Sequence, residues 1–310
     1  YHYDPQDWTA DSEDSTHHIL HLVLGEENSN HAADGDYRVR LSYTDTAGNV
    51  SQQYVSNILT IDTTPPEMSV EYDNNEPHKE AFYGNSRTAV ITVKDRNIRT
   101  DEIDFNIPGT DIWGNRLENV TARIGNWVPG EEEGTWKNTI TYDMDADYDI
   151  EILCPDMAGN QSRFTDGFTV DKGLPGLRYE YSTALMETVL NYITFGYYQP
   201  DVTVTVYVQD DIAGVDYLVW GYEKEAGSSS VNVEHREGRI DRSGFTFETT
   251  EYGVEAKASI RLTANEAEQY RGRIHFEAAD RAGNIRRETD GGRIIVADTI
   301  SPTRTVSFTP

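Results

Sequence analysis

Apolar and polar residues alternate with a period of two along most of the chain. Ala89-Val90-Ile91-Thr92-Val93-Lys94 and Val202-Thr203-Val204-Thr205-Val206-Tyr207-Val208 are clear cases. Similar runs fall at residues 19–24, 37–44, 68–72, 103–109, 136–142, 148–154 and 163–170, then at 177–181, 217–222, 245–247, 258–262 and 273–278. Successive side chains of an extended strand point to opposite faces, so this alternation predicts short, half-buried strands. Residues 303–310 read as one more strand. A single stretch departs from the pattern. Leu185, Met186, Val189, Leu190 and Ile193 recur at helical spacing, with Thr183 placed to cap the start and Gly196 the end. A short helix near residues 184–195 is therefore expected, its apolar stripe covering a sheet edge.

Between the strands one phrase returns three times, as Asp45-Thr46-Ala47-Gly48-Asn49, Asp156-Met157-Ala158-Gly159-Asn160 and Asp280-Arg281-Ala282-Gly283-Asn284. Each copy joins two strand-like runs, and the second run ends in Asp followed by Pro, as in Ile61-Asp62-Thr63-Thr64-Pro65-Pro66. The phrase reads as a hairpin turn, in which Gly and Asn tolerate positive φ and Asp bonds the turn backbone; Pro then ends the strand. Spacings of about 111 and 124 residues suit β-sandwich modules. The expected division is a partial module over 1–62, complete modules over 63–171 and 172–298, and over 299–310 a linker with the first strand of a following module.

Composition narrows the function classes. With 19 Tyr, 9 Phe and 5 Trp in 37% hydrophobic content, the chain has the material of a folded protein. Against 54 acidic residues stand only 26 basic ones, a formal charge of −28. Such a surface repels phosphate backbones and anionic membranes, so no nucleic acid is expected as partner. The sequence has no signal peptide and no apolar stretch long enough to span a bilayer, so direct membrane insertion is not expected of it. The single cysteine, Cys154, lies on the apolar side of an alternating run and reads as a small buried hydrophobe.

Catalytic signatures are absent: there is no Gly-x-Ser-x-Gly elbow, His-Glu-x-x-His zinc helix, Walker loop or Gly-x-Gly-x-x-Gly fingerprint. An enzyme is not expected. His17, His18 and His21 cluster but read as a strand face. Acidic residues supply the sharper candidate. Asp45 with Asp62, Asp156 with Asp171, and Asp280 with Asp298 recur where one module hands over to the next, and Ca²⁺ takes six to eight oxygen ligands. Either calcium stiffens these joints, or each Asp merely caps its own turn or strand end. Asp210-Asp211 and Asp143, Asp145 and Asp147 are lesser candidates. Trp113, Trp127, Trp136, Tyr197, Tyr198, Trp220 and Tyr222 are candidates for stacking on a glycan or anchoring a protein, or else they serve the sandwich cores.

Two longer features point to a family. Asp34-Gly35-Asp36-Tyr37 resembles the approach to strand F of immunoglobulin-like domains, where a tyrosine at the corner bonds nearby backbone. The Asp-x-Ala-Gly-Asn turn, the Ile-Asp-Thr-Thr-Pro-Pro linker and the run Tyr72-Asp73-Asn74-Asn75 ahead of Arg87-Thr88-Ala89-Val90 resemble tandem immunoglobulin-like repeats of large Gram-positive cell-surface proteins. Lys172-Gly173-Leu174-Pro175 departs from the Thr-Thr-Pro-Pro pattern of the first linker. The resemblance implies an all-β array of immunoglobulin-like sandwiches, extracellular, at the bacterial cell surface. It further implies an adhesive region that binds a host surface or secreted protein, immunoglobulin among the conceivable ones; a purely structural spacer and a glycan-binding module are the alternatives. A Lys–Asn isopeptide staple occurs in some such domains, but Lys94 sits at a strand end rather than in a buried triad.

Overall fold

The computed structural model describes residues 7–14, 16–24, 29–118, 120–182, 197–198, 201–224, 237–251, 253–263, 270–290 and 295–297. Strands dominate, and among the described residues the only helical pieces are three-residue 3₁₀ turns. The helix expected near residues 184–195 lies outside the described residues, as do residues 298–310.

The first 62 residues contribute short strands: β1 (Thr9–Ala10), β2 (His18–Ile19), β3 (Gly35–Tyr37), β4 (Arg40–Leu41), β5 (Tyr54–Val55) and β6 (Leu59–Ile61). β3 pairs with β6 and β4 with β5, forming one hairpin around the Asp45 turn. The Tyr37 hydroxyl donates to the Ala33 carbonyl at 2.6 Å, the corner bond expected from Asp34-Gly35-Asp36-Tyr37. The run expected over 37–44 is thus broken in two, and that over 19–24 shrinks to the end of β2.

Next come β7 (Glu67–Tyr72), β8 (Phe82–Tyr83), β9 (Arg87–Lys94), β10 (Asp104–Asn106), β11 (Gly109–Thr110), β12 (Arg123–Ile124), β13 (Val128–Pro129), β14 (Thr135–Tyr142), β15 (Ala146–Pro155) and β16 (Gln161–Val170). One sheet runs β12-β14-β9-β7, with β13 also on β14; the facing sheet runs β10-β15-β16-β8, with β11 also on β15. β8 lies parallel to β16, whereas the other pairs are antiparallel. Alternation explains the core. Ala89, Ile91 and Val93 of β9 face Tyr148, Ile150, Ile152 and Cys154 of β15, and all are buried. Burial pushes the Cys154 thiol up to about 11, as befits an inert core sulfur.

The third group is β17 (Gly176–Ser182), β18 (Tyr197–Tyr198), β19 (Asp201–Gln209), β20 (Val215–Lys224), β21 (Glu237–Asp241), β22 (Thr246–Thr250), β23 (Gly253–Thr263), β24 (Tyr270–Asp280), β25 (Ile285–Thr289) and β26 (Ile295–Ala297). Its sheets run β17-β19-β23-β22 and β18-β26-β24-β20-β21, with β25 also on β24. Val202, Val204, Val206 and Val208 are fully buried against Leu218, Ile274 and Phe276. Both groups therefore distribute their strands as A-B-E-D against C-F-G, with a short parallel strand on G. That is the immunoglobulin-like Greek key.

The first sandwich also accounts for the Tyr72…Arg87 pattern. Arg87 is buried, its guanidinium 3.8, 4.1 and 4.3 Å from the ring centres of Tyr72, Tyr83 and Phe168. It donates to the Asn74 carbonyl at 2.8 Å, while the Tyr72 hydroxyl donates to Asp166 at 2.7 Å. A buried cation is tolerable only with such partners. In the same aromatic cluster, its ring 5.9 Å from that of Phe168, Tyr148 donates its hydroxyl to the Met144 carbonyl at 2.9 Å. Tyr148→Phe should cost about 1 kcal/mol by removing that bond, read as a lower urea midpoint at unchanged slope.

Candidate metal centre

The Asp-x-Ala-Gly-Asn turns share one geometry. In the second copy, Asp156 Oδ1 accepts the backbone N–H groups of Ala158 and Asn160 at 2.8 Å each, and Oδ2 accepts the Asn160 amide at 2.8 Å. Only the glycine needs the left-handed region, with φ of +87°, +95° and +90° at Gly48, Gly159 and Gly283. None of the three asparagines has positive φ, contrary to the expectation from sequence. Asn serves here for its side-chain amide. Asp111-Ile112-Trp113-Gly114-Asn115 builds the same turn, with Asp111 accepting from Trp113, Asn115 and the Asn115 amide. Tryptophan in place of alanine hid that copy from the pattern.

Because the turn joins β15 to β16, or β24 to β25, it lies at the pole where the chain arrives from the preceding module. There it meets the end of β9 or β19 and the incoming linker. Asp62, Asp95 and Asp156 come together at the first joint, and Asp171, Asp210 and Asp280 at the second. Within each trio one carboxylate oxygen from each residue lies within 4.8 Å of the other two. The two trios have the same origin: one Asp from the linker, one from the end of the second long strand, one from the turn. Asp156, Asp171 and Asp280 are buried and the other three half-buried. Among the described residues no Lys or Arg forms an ion pair with any of the six.

Such crowding has an electrostatic signature. Burial, reinforced by the Asp210 charge, raises Asp171 well above the ordinary carboxylate range; burial and the Asp280 charge do the same to Asp210. Burial lifts Asp280 from 3.8 to about 6, with the Asp171 charge adding to it. Asp95 is raised by burial and by the charges of Asp62 and Asp156. Three carboxylates held close and partly dehydrated repel one another unless a proton or cation intervenes; at the first joint the charge of Arg96 offsets part of this at Asp95 without reversing its upward shift. An all-oxygen, carboxylate-rich donor set fits a hard divalent cation such as Ca²⁺ rather than a thiolate- or imidazole-seeking metal.

The expected partners are thus rearranged. Asp156 meets Asp62 instead of Asp171, and Asp280 meets Asp171 instead of Asp298. Asp45 is exposed and joins no acidic cluster among the described residues, and Asp298 lies outside them. Asp95 was missed because it reads as an ordinary strand end. The signal available was that Asp95 and Asp210 both follow the second long strand of a repeat. Asp145 instead holds the second linker, accepting from Lys172 N–H at 3.2 Å, as Asp34 holds Thr63 at 3.0 Å in the first. Asp147 accepts from Thr169 within its sheet, and Asp143 pairs with Arg123.

The aromatic candidates are not assembled into one site. Trp127 stacks on Phe105 at 6.2 Å, and Trp127 and Trp136 pack on the first core while Trp220 packs on the second. Trp113 is 43% exposed, on the loop whose Ile112 N–H donates to the Asp211 carbonyl across the second joint at 2.9 Å. The side chains of Tyr197, Tyr198 and Tyr222 lie outside the description. His17 pairs with Asp14 at 2.8 Å, and Lys94 with Glu132 at 2.6 Å on the surface.

The joints themselves differ. Across the second, Lys79 pairs with Asp216 and Arg281 with Glu80, and a Cβ on Gly84 would meet the Ala282 carbonyl at 2.8 Å. Across the first, Arg96 pairs with Asp36 at 3.0 Å.

No family model and no curated protein matches the sequence. Among solved structures, the chain is similar to a tetra-tandem repeat in the extending region of a large adhesion protein, with 17% identity and a TM-score of 0.36 over 83% of this chain and 55% of that one. It is also similar to the Escherichia coli adhesin FdeC, with 12% identity and a TM-score of 0.33 over 74% and 65% of the two chains. A third is the Yersinia pseudotuberculosis adhesin InvE, with 12% identity and a TM-score of 0.28 over 75% and 59%. The chain covers less than two thirds of each of these solved structures. Among the described residues no helix is long and apolar enough to cross a membrane.

Proposed function

We propose that the chain is a calcium-stiffened spacer of an extracellular bacterial surface adhesion protein, non-enzymatic, which holds a partner-binding region away from the cell. The observation that carries this reading is the repeated aspartate trio. Each trio is shared between a linker and the module after it, so a cation bound there ties the two together and restricts the joint. Trp127, Trp136 and Trp220 are engaged in core packing, which supports a spacer over a glycan-stacking surface. The acidic surface keeps neighbouring arrays apart.

Small-angle scattering with and without calcium tests the proposal. Titration with millimolar calcium, the range of weak extracellular sites, should bind at least two ions per chain and lengthen the maximum dimension. Unchanged scattering together with no bound calcium would sink it. A second reading, an adhesive module that grips a host protein or glycan, is favoured by Trp113, which stands exposed beside the second joint. Saturable pull-down of a host serum protein, immunoglobulin included, that Trp113→Ala abolishes would make that reading the better one.

A further inference from the structure

The asparagine that ends each turn carries more than the turn. Its side-chain amide has two N–H donors. At the second joint one donates to Asp280 Oδ2 within the turn at 2.8 Å, and the other reaches out of the module to the backbone carbonyl of Asp171 in the linker, also at 2.8 Å. The first joint repeats this, with Asn160 donating to Asp156 Oδ2 at 2.8 Å and to the Asp62 carbonyl at 3.1 Å. A carboxylate and a carbonyl both only accept, so the NH₂ end must be the end that faces them. Asn49 and Asn115 make the bonds to their own aspartates, and among the described residues no bond from either amide to a linker carbonyl accompanies them.

The linker residue held in this way is in both cases the one whose carboxylate completes the trio. Its side chain is steered as well. Asp62 Oδ2 accepts the Asn97 amide at 2.6 Å, and Asp171 Oδ2 accepts the Ala213 N–H at 3.1 Å, both from the loop after the second long strand. The turn in turn rests on that loop, through Met157 N–H to the Asn97 carbonyl at 2.9 Å and Arg281 N–H to the Gly214 carbonyl at 3.1 Å.

We infer that Asn160 and Asn284 are joint-positioning residues: each latches the preceding linker's carbonyl to the turn, fixing the linker aspartate at its trio before any cation arrives. This deepens the calcium-spacer reading, and its first consequence needs no metal. Without the latch the linker is freer to move about the turn, and calcium must then restrict it at its own expense.

The test uses the whole chain with pairs of surface cysteines labelled on either side of each joint, Cys154 being buried. Distance distributions are recorded in chelator and in calcium for the parent, Asn160→Ala, Asn284→Ala and Asn49→Ala. Asn49→Ala breaks the same bonds within a turn that holds no described linker. In chelator, Asn284→Ala should broaden the distribution across the second joint and Asn160→Ala that across the first, with Asn49→Ala matching the parent at both. Calcium affinity should fall roughly three- to tenfold for each latch variant, the loss expected of one hydrogen bond. Distributions in chelator that stay as narrow as the parent's would overturn the inference. So would equal broadening by Asn49→Ala, which would mark a general loosening. A parent chain that binds no calcium would sink the calcium reading while leaving the chelator comparison to decide the latch.

Discussion

In calcium-free buffer, Asp210→Asn should melt higher than the parent chain, and in saturating calcium it should melt lower. Asn keeps the Oδ1 that accepts the Gly214 N–H at 2.7 Å, so the loop after β19 retains its shape while one charge leaves the trio. Without calcium that charge faces Asp171 and Asp280 within 4.8 Å, with no ion-paired Lys or Arg among the described residues, so its removal should stabilise the second sandwich by roughly 1–3 kcal/mol. With calcium the sign reverses. A ligand that binds only the folded state adds about 2.7 kcal/mol when its free concentration is a hundredfold above Kd, and loss of one anionic ligand should remove much of that. Differential scanning calorimetry of both proteins in both buffers checks the crossing. A melting temperature that Asp210→Asn leaves unchanged in both buffers would mean that Asp210 only caps its loop.

Acidity should act in the same opposed way. Asp280 is raised from its ordinary 3.8 to about 6, chiefly by burial, and Asp171 and Asp210 are raised with it. A carboxyl whose folded value exceeds its unfolded one takes up its proton more readily when folded. Its contribution is fully present below pH 4 and is lost as pH rises through about 6. The calcium-free second sandwich should therefore lose stability between pH 4 and 7, on the order of 3 kcal/mol from Asp280 alone. Glu255, held below its ordinary value by Arg178, works in the opposite direction, but it lies at the surface where screening keeps the effect small. In saturating calcium the slope should invert, because protons then compete with the ion for the same oxygens. Melting temperatures from pH 4 to 7 test this. A calcium-free chain that grows more stable across that interval would show that the trios carry no strain.

Most of the strands were legible because alternation is local. Val202 to Val208 and Tyr148 to Cys154 announce their buried faces without knowledge of any partner. The turns were equally plain, since Gly at positive φ and Asp bonding its own loop are settled within five residues. What stayed hidden was short or distant. β8, with only Phe82 and Tyr83, takes its place by lying parallel to β16, some 87 residues along the chain from Phe82 to Thr169. Trp127 and Trp136 looked available for a ligand because sequence does not show which face of a loop or strand meets the core.

The aspartates divide in the same way. That turn and linker aspartates belong to the joints could be read from their recurrence in the sequence. Which of them meet is decided by the Greek key. It sends the F–G turn back to the pole where the preceding linker arrives, so that Asp156 finds Asp62 and Asp280 finds Asp171, with Asp95 and Asp210 between them. Sequence by itself determined the strands, the turns and the acidic residues available at each joint, because those depend on neighbours a few residues away. Only the tertiary structure decided the trios and the asparagine latches, because each assembles segments roughly a hundred residues apart through the packing of two sheets.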